Sequence, residues 1–560
     1  MYCEQFDYII VGGGLAGSVL ASRLSHSDNK PKVLLVEAGP DVSKNEVIPY
    51  ANNTAILMGS ELDWGYRTVP QENLNGRQIA NPAGKCLGGG TAINACGWTR
   101  GHHTDFDQWA ELVGDQRYTY KNLLPYFVRT EEYYDADITP GQHGSQGPMY
   151  VATPSSTGRW YPLRKKLARA WRENNVQPLP GLDGNTGCPI GLAELAENRR
   201  NGLRQLASSV YPLDDVHVLT NTLVKRILIE QTAPGSLKPK PAAVGIETAD
   251  GKQYRGGEII AAAGSYRTPQ LLMLSGIGPR TVLSGLDIPV ILDNPDVGRN
   301  LYDHLQLTQY WRLKDGSAGY ALGSEDIRNN PEYGLGVPID WVINTDVPKK
   351  GLAEVIAVDM GRAAISSSIT HHPLLKSKRA ILEHLVVYAA ASAADPAITL
   401  DGSHIASTIV HLLPTSKGTV TINSTDPASK PLIDPQYLST EADYYAWRVG
   451  LRTTAQLFLG TETGRAFVES ETPPDAFKRM TLDTEDEYLN ARVRHGAFST
   501  YHPTSTCSMG KVVDADFRVL GISNLRVVDA SVVPLPIAAH IQATVYALAE
   551  LAAATISGKA

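Results

Sequence analysis

Gly12, Gly14 and Gly17 are spaced G-x-G-x-x-G between a short apolar run at 8–11 and a stretch predicted to be helical over 15–24. In that setting Gly12 makes a tight turn, Gly14 lets backbone approach a pyrophosphate, and Gly17 permits close helix–strand packing. Leu15 and Ala16 then open the helix, where free N–H groups and the positive dipole end favour phosphate. A second buried run at 32–37 ends in Glu37, about 20 residues past the last glycine, as a dinucleotide fingerprint requires. The Glu37 carboxylate would accept hydrogen bonds from ribose hydroxyls, and its charge argues against a 2′-phosphate. The competing reading is an ordinary strand–helix–strand unit with a loop glycine. These residues predict an adenine dinucleotide and leave NAD and FAD both open.

Other functional classes recede on composition. The 560 residues are 42% hydrophobic and 19% charged, with a formal net charge of −7. That length suggests roughly two to four domains. The charge is mild and no basic run is interleaved with aromatics, so nucleic acid is not an expected partner. No apolar stretch is long enough to span a membrane; the run at 385–394 fits a buried core segment. The first strand starts within a few residues of Met1, leaving no room for a signal peptide, which reads as cytoplasmic unless a leader was trimmed. Cys3, Cys86, Cys96, Cys188 and Cys507 are widely spaced with no C-x-x-C pair, so no metal site is expected. Cys86 and Cys96 are the one conceivable pair, and reduced thiols are the simpler reading.

The elements that must position this chemistry form two textures. After the opening unit comes a glycine-rich loop at 76–101, of the kind that runs close to something flat or bulky. Residues 216–230 alternate like a strand, and 258–264 is a third buried strand ending in glycine, followed by a helix. From about 305 to 495, candidate strands at 404–413 and 418–422 mix with helices and proline-rich loops. The last sixty residues return to short glycine-punctuated strands and an alanine-rich helix at 541–556. The expected fold is α/β: a doubly wound, Rossmann-like dinucleotide-binding lobe from 1–302 and 496–560, with an α+β substrate-binding lobe at 303–495 inserted between.

Seven ordered segments resemble the glucose–methanol–choline (GMC) flavin oxidoreductases. They are Asp63-Trp-Gly-Tyr66, the loop from Gly84 to Asn94, His143-Gly-Ser-Gln-Gly-Pro148, the stretch from Gly264 to Gly278, Val297-Gly-Arg-Asn-Leu-Tyr-Asp-His304, "YHPTSTCSMG" and "NLRVVDASVVP…AAHIQAT". The resemblance implies FAD. By analogy Gly12, Gly14 and Gly17 hold the pyrophosphate and Glu37 the adenosine ribose. Val224 presents backbone to adenine, and Asp529 with Ala530 lies near the pyrophosphate and ribityl chain. Leu87, Gly88, Gly89, Gly90 and Asn94 line the isoalloxazine, and Ile541 and Gln542 aim the last helix N-terminus at the flavin. Some members bond the flavin through a histidine just before the loop asparagine. Ile93 stands there, so FAD is expected to be non-covalent. Ala83 and Gly90 replace an arginine and a serine of the family.

Of fourteen histidines, the resemblance singles out His502 and His540. Both imidazoles would meet above the flavin, His502 as general base and His540 orienting the alkoxide. An imidazole of ordinary pKa near 6.5 suits proton removal from an alcohol while hydride leaves the adjacent carbon. Read without the family, His502 could be a turn residue and His540 a helix-cap substitute. His102, His103, His304 and His495 rank as poor catalytic candidates. The expected activity is oxidation of an alcohol to an aldehyde, ketone or lactone, with oxygen or a quinone-type acceptor. Its alternative on this fold is a hydroxynitrile lyase with structural FAD. Substrate choice is assigned to the inserted lobe, around Tyr310-Trp311 and 320–350, and the wording "HPTSTC" resembles fungal members of secondary metabolism.

Overall fold

The opening strand Gln5–Val11 lies at the centre of a seven-stranded sheet, and its apolar residues are buried on both faces, as parallel strands require. A computed structural model of the chain describes residues 5–50, 53–231, 240–361 and 371–559. The strand pairs in parallel with Val33–Val36 on one side and with Gln253–Ala261 on the other, placing Ile9 beside Leu34 and Ile259. Val216–Leu219 extends the sheet beyond Val33–Val36. Leu525–Val527 adds to the far half of Gln253–Ala261, so both ends of the chain build one sheet. The alternation at 216–230 is two strands, Val216–Leu219 and Val224–Gln231; the chain turns between them at Asn221, whose φ is +50°. The second of these joins an antiparallel extension with Pro241–Thr248.

Helix Leu15–Ser25 packs on this sheet, and the final helix Gln542–Ile556 packs against that helix and against helix Tyr120–Thr130. The final helix is buried almost all round and starts one residue later than predicted. Glu550 fixes it: its buried carboxylate accepts from Arg23 of the first helix at 2.8 Å and from the Tyr211 hydroxyl at 2.9 Å. Among the described residues no helix is long and apolar enough to cross a membrane, and no His, Cys, Asp or Glu cluster suits a metal. Cys86, Cys96, Cys188 and Cys507 are free thiols, and Cys3 lies outside the described residues.

A second, largely antiparallel sheet orders Val468–Thr472, Leu305–Leu313, His404–His411, Leu382–Val387, Trp341–Thr345 and Gly191–Glu194. Two of its strands come from outside 303–495: Gly191–Glu194 pairs with Trp341–Thr345, and Phe498–Ser499 pairs with Leu305–Leu313. The expected boundaries therefore omit strands this sheet uses. The reason is physical: an antiparallel sheet recruits any strand that covers its edge, whatever its place in the chain.

Candidate active site

One cavity of about 660 Å³ runs between the two sheets, from the glycine turn to the C-terminal histidines. At one end Gly12 has φ +108°, and a Cβ there would lie 2.5 Å from the Ala262 carbonyl oxygen. A Cβ on Gly17 would come within 1.9 Å of the Gly12 oxygen, so its task is packing, and it does not face the cavity. The Gly84–Asn94 loop crosses this turn backbone to backbone. A Cβ on Gly89 would meet Gly14 Cα at 2.7 Å, and the Gly88 N–H donates to the Gly13 carbonyl at 2.7 Å. Leu87 and Gly88 stand one layer behind, Leu87 against Gly13, while Gly89, Gly90, Ile93 and Asn94 line the cavity.

Glu37 and Val224 line the same end, as do Leu15, Ala16, Asp529 and Ala530. Glu37 does more than wait for a ribose. Its two oxygens accept from the Gly13 N–H at 2.8 Å and the Gly39 N–H at 2.9 Å, so it also shapes the glycine turn. Burial pushes its pKa up to about 7 against the pull of those two N–H bonds. Asp529 accepts from the Gly264 N–H at 2.9 Å, the Thr268 hydroxyl at 2.6 Å and the Ser531 N–H at 2.8 Å, tying two helix starts together. Midway, Asn94 donates to Gln542 at 3.2 Å, and Gln542 donates to the Gly97 carbonyl at 2.6 Å. This clamps the loop to the N-terminus of the final helix, where Ile541 and Gln542 face the cavity.

At the other end His502 and His540 both line the cavity, their rings edge to face with centroids 5.1 Å apart. Neither is a turn or cap residue. The backbone N–H of His502 donates to Asp303 at 2.8 Å, and its Nδ1 lies 3.1 Å from Nδ1 of His304. His540 Nε2 is 2.9 Å from Oε1 of Glu383, a buried carboxylate on strand Leu382–Val387. Asp303 also accepts from the Ser499 hydroxyl at 2.5 Å and from the Tyr437 hydroxyl, and burial lifts its pKa to about 6. It locks the 499–502 segment.

The electrostatics separate the two imidazoles. Burial, His540 and His304 push His502 well below the ordinary imidazole value. Burial acts on His540 in the same direction, but Glu383 overrides it and raises His540. Burial thus favours the neutral form of His502, while Glu383 favours the charged form of His540.

His304 and Glu383 are the residues that sequence reasoning missed. His304 ended a motif, but nothing in its spacing ties it to residue 502. Glu383 did carry a signal, a carboxylate inside a buried apolar strand, a position charged residues rarely occupy unpaired. The expected specificity residues also move. Trp311 is fully buried on the opposite face with its indole N–H on Ser407 at 2.8 Å, and Tyr310 does not line the cavity. From 320–350 only Val337 and Ile339 reach it. His102, His103 and His495 lie elsewhere, His102 accepting from the Thr104 N–H, His103 beside Asp107 and His495 beside Asp395.

Profiles described as GMC oxidoreductase match residues 6–306 and 414–549. The chain belongs to the GMC oxidoreductase family. The GMC-type oxidoreductase acuG of Aspergillus aculeatus is 39% identical over 554 residues, covering 98% of each chain. The oxygen-dependent choline dehydrogenase of Yersinia pseudotuberculosis is 32% identical, covering 99% of this chain and 94% of its own. Among solved structures, the formate oxidase of Aspergillus oryzae superposes with a TM-score of 0.85 at 28% identity, over 100% of this chain and 99% of its own. This GMC enzyme is an FAD-dependent oxidoreductase, and its residues fit that cofactor: the glycine turn that a Cβ would block, a carboxylate at the end of the second strand, and a cavity continuous from there to both histidines.

Proposed function

We propose that the enzyme oxidises an alcohol to a carbonyl compound, with His502 as the base and FAD held non-covalently. Gly12, Gly14, Leu15 and Ala16 would hold the pyrophosphate, with Asp529 and Ala530 beside it. Glu37 would hold the ribose and Val224 the adenine. Gly89, Gly90 and Asn94 would flank the ring system, facing the N-terminal end of the final helix at Ile541 and Gln542. Ile93 offers no nucleophile for a covalent link. FAD supplies the acceptor for the carbinol hydride; every proton is handled by the protein. Oxygen or a quinone-type compound would be the final electron acceptor.

The observation that carries this reading is the chain of contacts around His502. Two Nδ1 atoms 3.1 Å apart share one proton, so one ring donates and the other accepts. The second contact of His304 is with the Leu412 backbone, and it favours protonation of His304, as a carbonyl acceptor does. In this reading His304 carries its proton on Nε2 and offers Nδ1 to His502 as acceptor. His502 therefore carries its proton on Nδ1 and turns a bare Nε2 to the cavity. Burial and His411 keep His304 neutral, pushing it down to about 3. Nε2 of His502 takes the hydroxyl proton, while His540, whose charged form Glu383 favours, stabilises the alkoxide. The groups facing His502 are His304, His540 and Asp303, with Glu383 behind His540.

Anaerobic mixing of purified enzyme with alcohols tests the reaction class. Bleaching of the yellow flavin is expected for at least one alcohol. Turnover of a cyanohydrin with no bleaching by any alcohol would favour the lyase reading and refute this one.

A further inference from the structure

The second sheet forms the floor of the cavity beyond the histidines, and its register shows what that floor offers a substrate. Opposed residues in antiparallel strands share a face. Gln306, Val410 and Glu383 stand in one row, and Glu383 meets His540. The next row on that face is Thr308, Thr408, Leu385 and Val342, and Leu385 lines the cavity. Leu195, Val337, Ile339 and Phe498 complete this wall.

The polar groups on the floor are engaged within the protein. The Thr308 and Thr408 hydroxyls are 3.0 Å apart, Gln306 donates to the Ser499 carbonyl at 3.1 Å, and Glu383 holds His540. The charged residues that line the cavity besides the two histidines are Glu37, Arg267 and Asp529. All three belong to the nucleotide-binding lobe. Arg267 donates to the Tyr66 hydroxyl at 2.8 Å and the Pro427 carbonyl at 2.6 Å, and the two carboxylates bind backbone as described. Among the described residues, no free carboxylate or cation of the second sheet faces the substrate space.

Resting on the alcohol-oxidation reading above, we infer that the substrate is a neutral alcohol whose body beyond the carbinol is apolar, such as an aryl, alkenyl or alicyclic carbinol. A quaternary ammonium would enter without a counter-charge, and a polyol would bury hydroxyls against Leu195, Val337, Ile339 and Leu385. The carbinol oxygen meets polar groups at His502 and His540, with Gln306, Thr500 and Tyr501 beside them.

Binding and reduction can be read separately on the FAD-loaded enzyme. The binding arm follows the shift in flavin absorption with α,α-dimethylbenzyl alcohol and tetramethylammonium, which have no carbinol hydrogen, and with methyl glucoside, blocked at its anomeric carbon and read before any bleaching. The expected result is that the first binds at least about tenfold more tightly than either of the others, and that Leu385→Asn removes about tenfold of that affinity while FAD content is unchanged. Tighter binding of tetramethylammonium or the glucoside, or no binding of the aryl compound, would overturn the inference. The reduction arm compares cinnamyl alcohol with choline and glucose, and preference for cinnamyl alcohol is expected. Aryl binding without any reduction would refute the alcohol-oxidation reading and leave the apolar floor standing.

Discussion

The glycine cradle and the histidine cluster line the same cavity but are built in opposite ways. The cradle is backbone: Gly12, Gly14 and Gly89 approach so closely that a single Cβ at Gly89 would collide with Gly14 Cα at 2.7 Å. The cluster is side chain, assembled from four remote segments that contribute Glu383, His304, His502 and His540. A backbone site needs residues close in sequence and lacking side chains, so it is written locally. A side-chain network needs only that the fold bring its members together. The cradle binds through shape and N–H groups, with Glu37, pushed up to about 7, as its titrating member. The cluster works through proton positions, so pH and single-atom substitutions act on it first.

The largest effect is expected at the cluster. His502→Ala should keep its FAD yet lose about 100- to 10,000-fold in the rate of flavin reduction by alcohol, the usual worth of a general base. Stopped-flow absorbance reads this directly. Wild-type speed in that variant would place the base elsewhere and erase the contrast between the regions.

A smaller effect of a different kind is expected at the cradle. Glu37→Ala removes the acceptor of two backbone N–H groups as well as the proposed ribose contact. Bonds to a charged acceptor are worth about 1.5–3 kcal/mol, so FAD should bind roughly 10- to 150-fold more weakly. Enzyme resaturated with FAD should still reduce at near the wild-type rate. Unchanged FAD affinity would show that Glu37 serves neither the turn nor the ribose.

Legibility followed the same division. The strand–turn–helix at 5–25, the acid at 37 and the return of the chain end to the first sheet were readable because parallel strands are continuous apolar runs broken by glycine. His502 and His540 were found through family motifs, since turn and cap readings of each competed on equal terms. Glu383 and His304 were not, because their meaning comes from pairings across 157 and 198 residues. Tyr310 and Trp311 were misplaced as specificity residues for a related reason. A period of two in a strand shows that its faces differ but not which one meets the cavity. Trp311 faces away, and the register of its neighbours decides the matter.

The central claim is that His502 is a base kept neutral by burial and by its neighbour His540, and the pH profile of flavin reduction tests it most directly. His502 works only when unprotonated, and its proton affinity is lowered from the ordinary 6.5 by burial, His304 and His540. The rate should therefore hold as pH falls through 6.5 and decline only at lower pH. Glu383→Gln removes the anion that raises His540. With His540 less charged, His502 regains proton affinity and the declining limb should move up towards 6.5. A wild-type limb at or above 6.5, or one that Glu383→Gln leaves in place, would contradict the account.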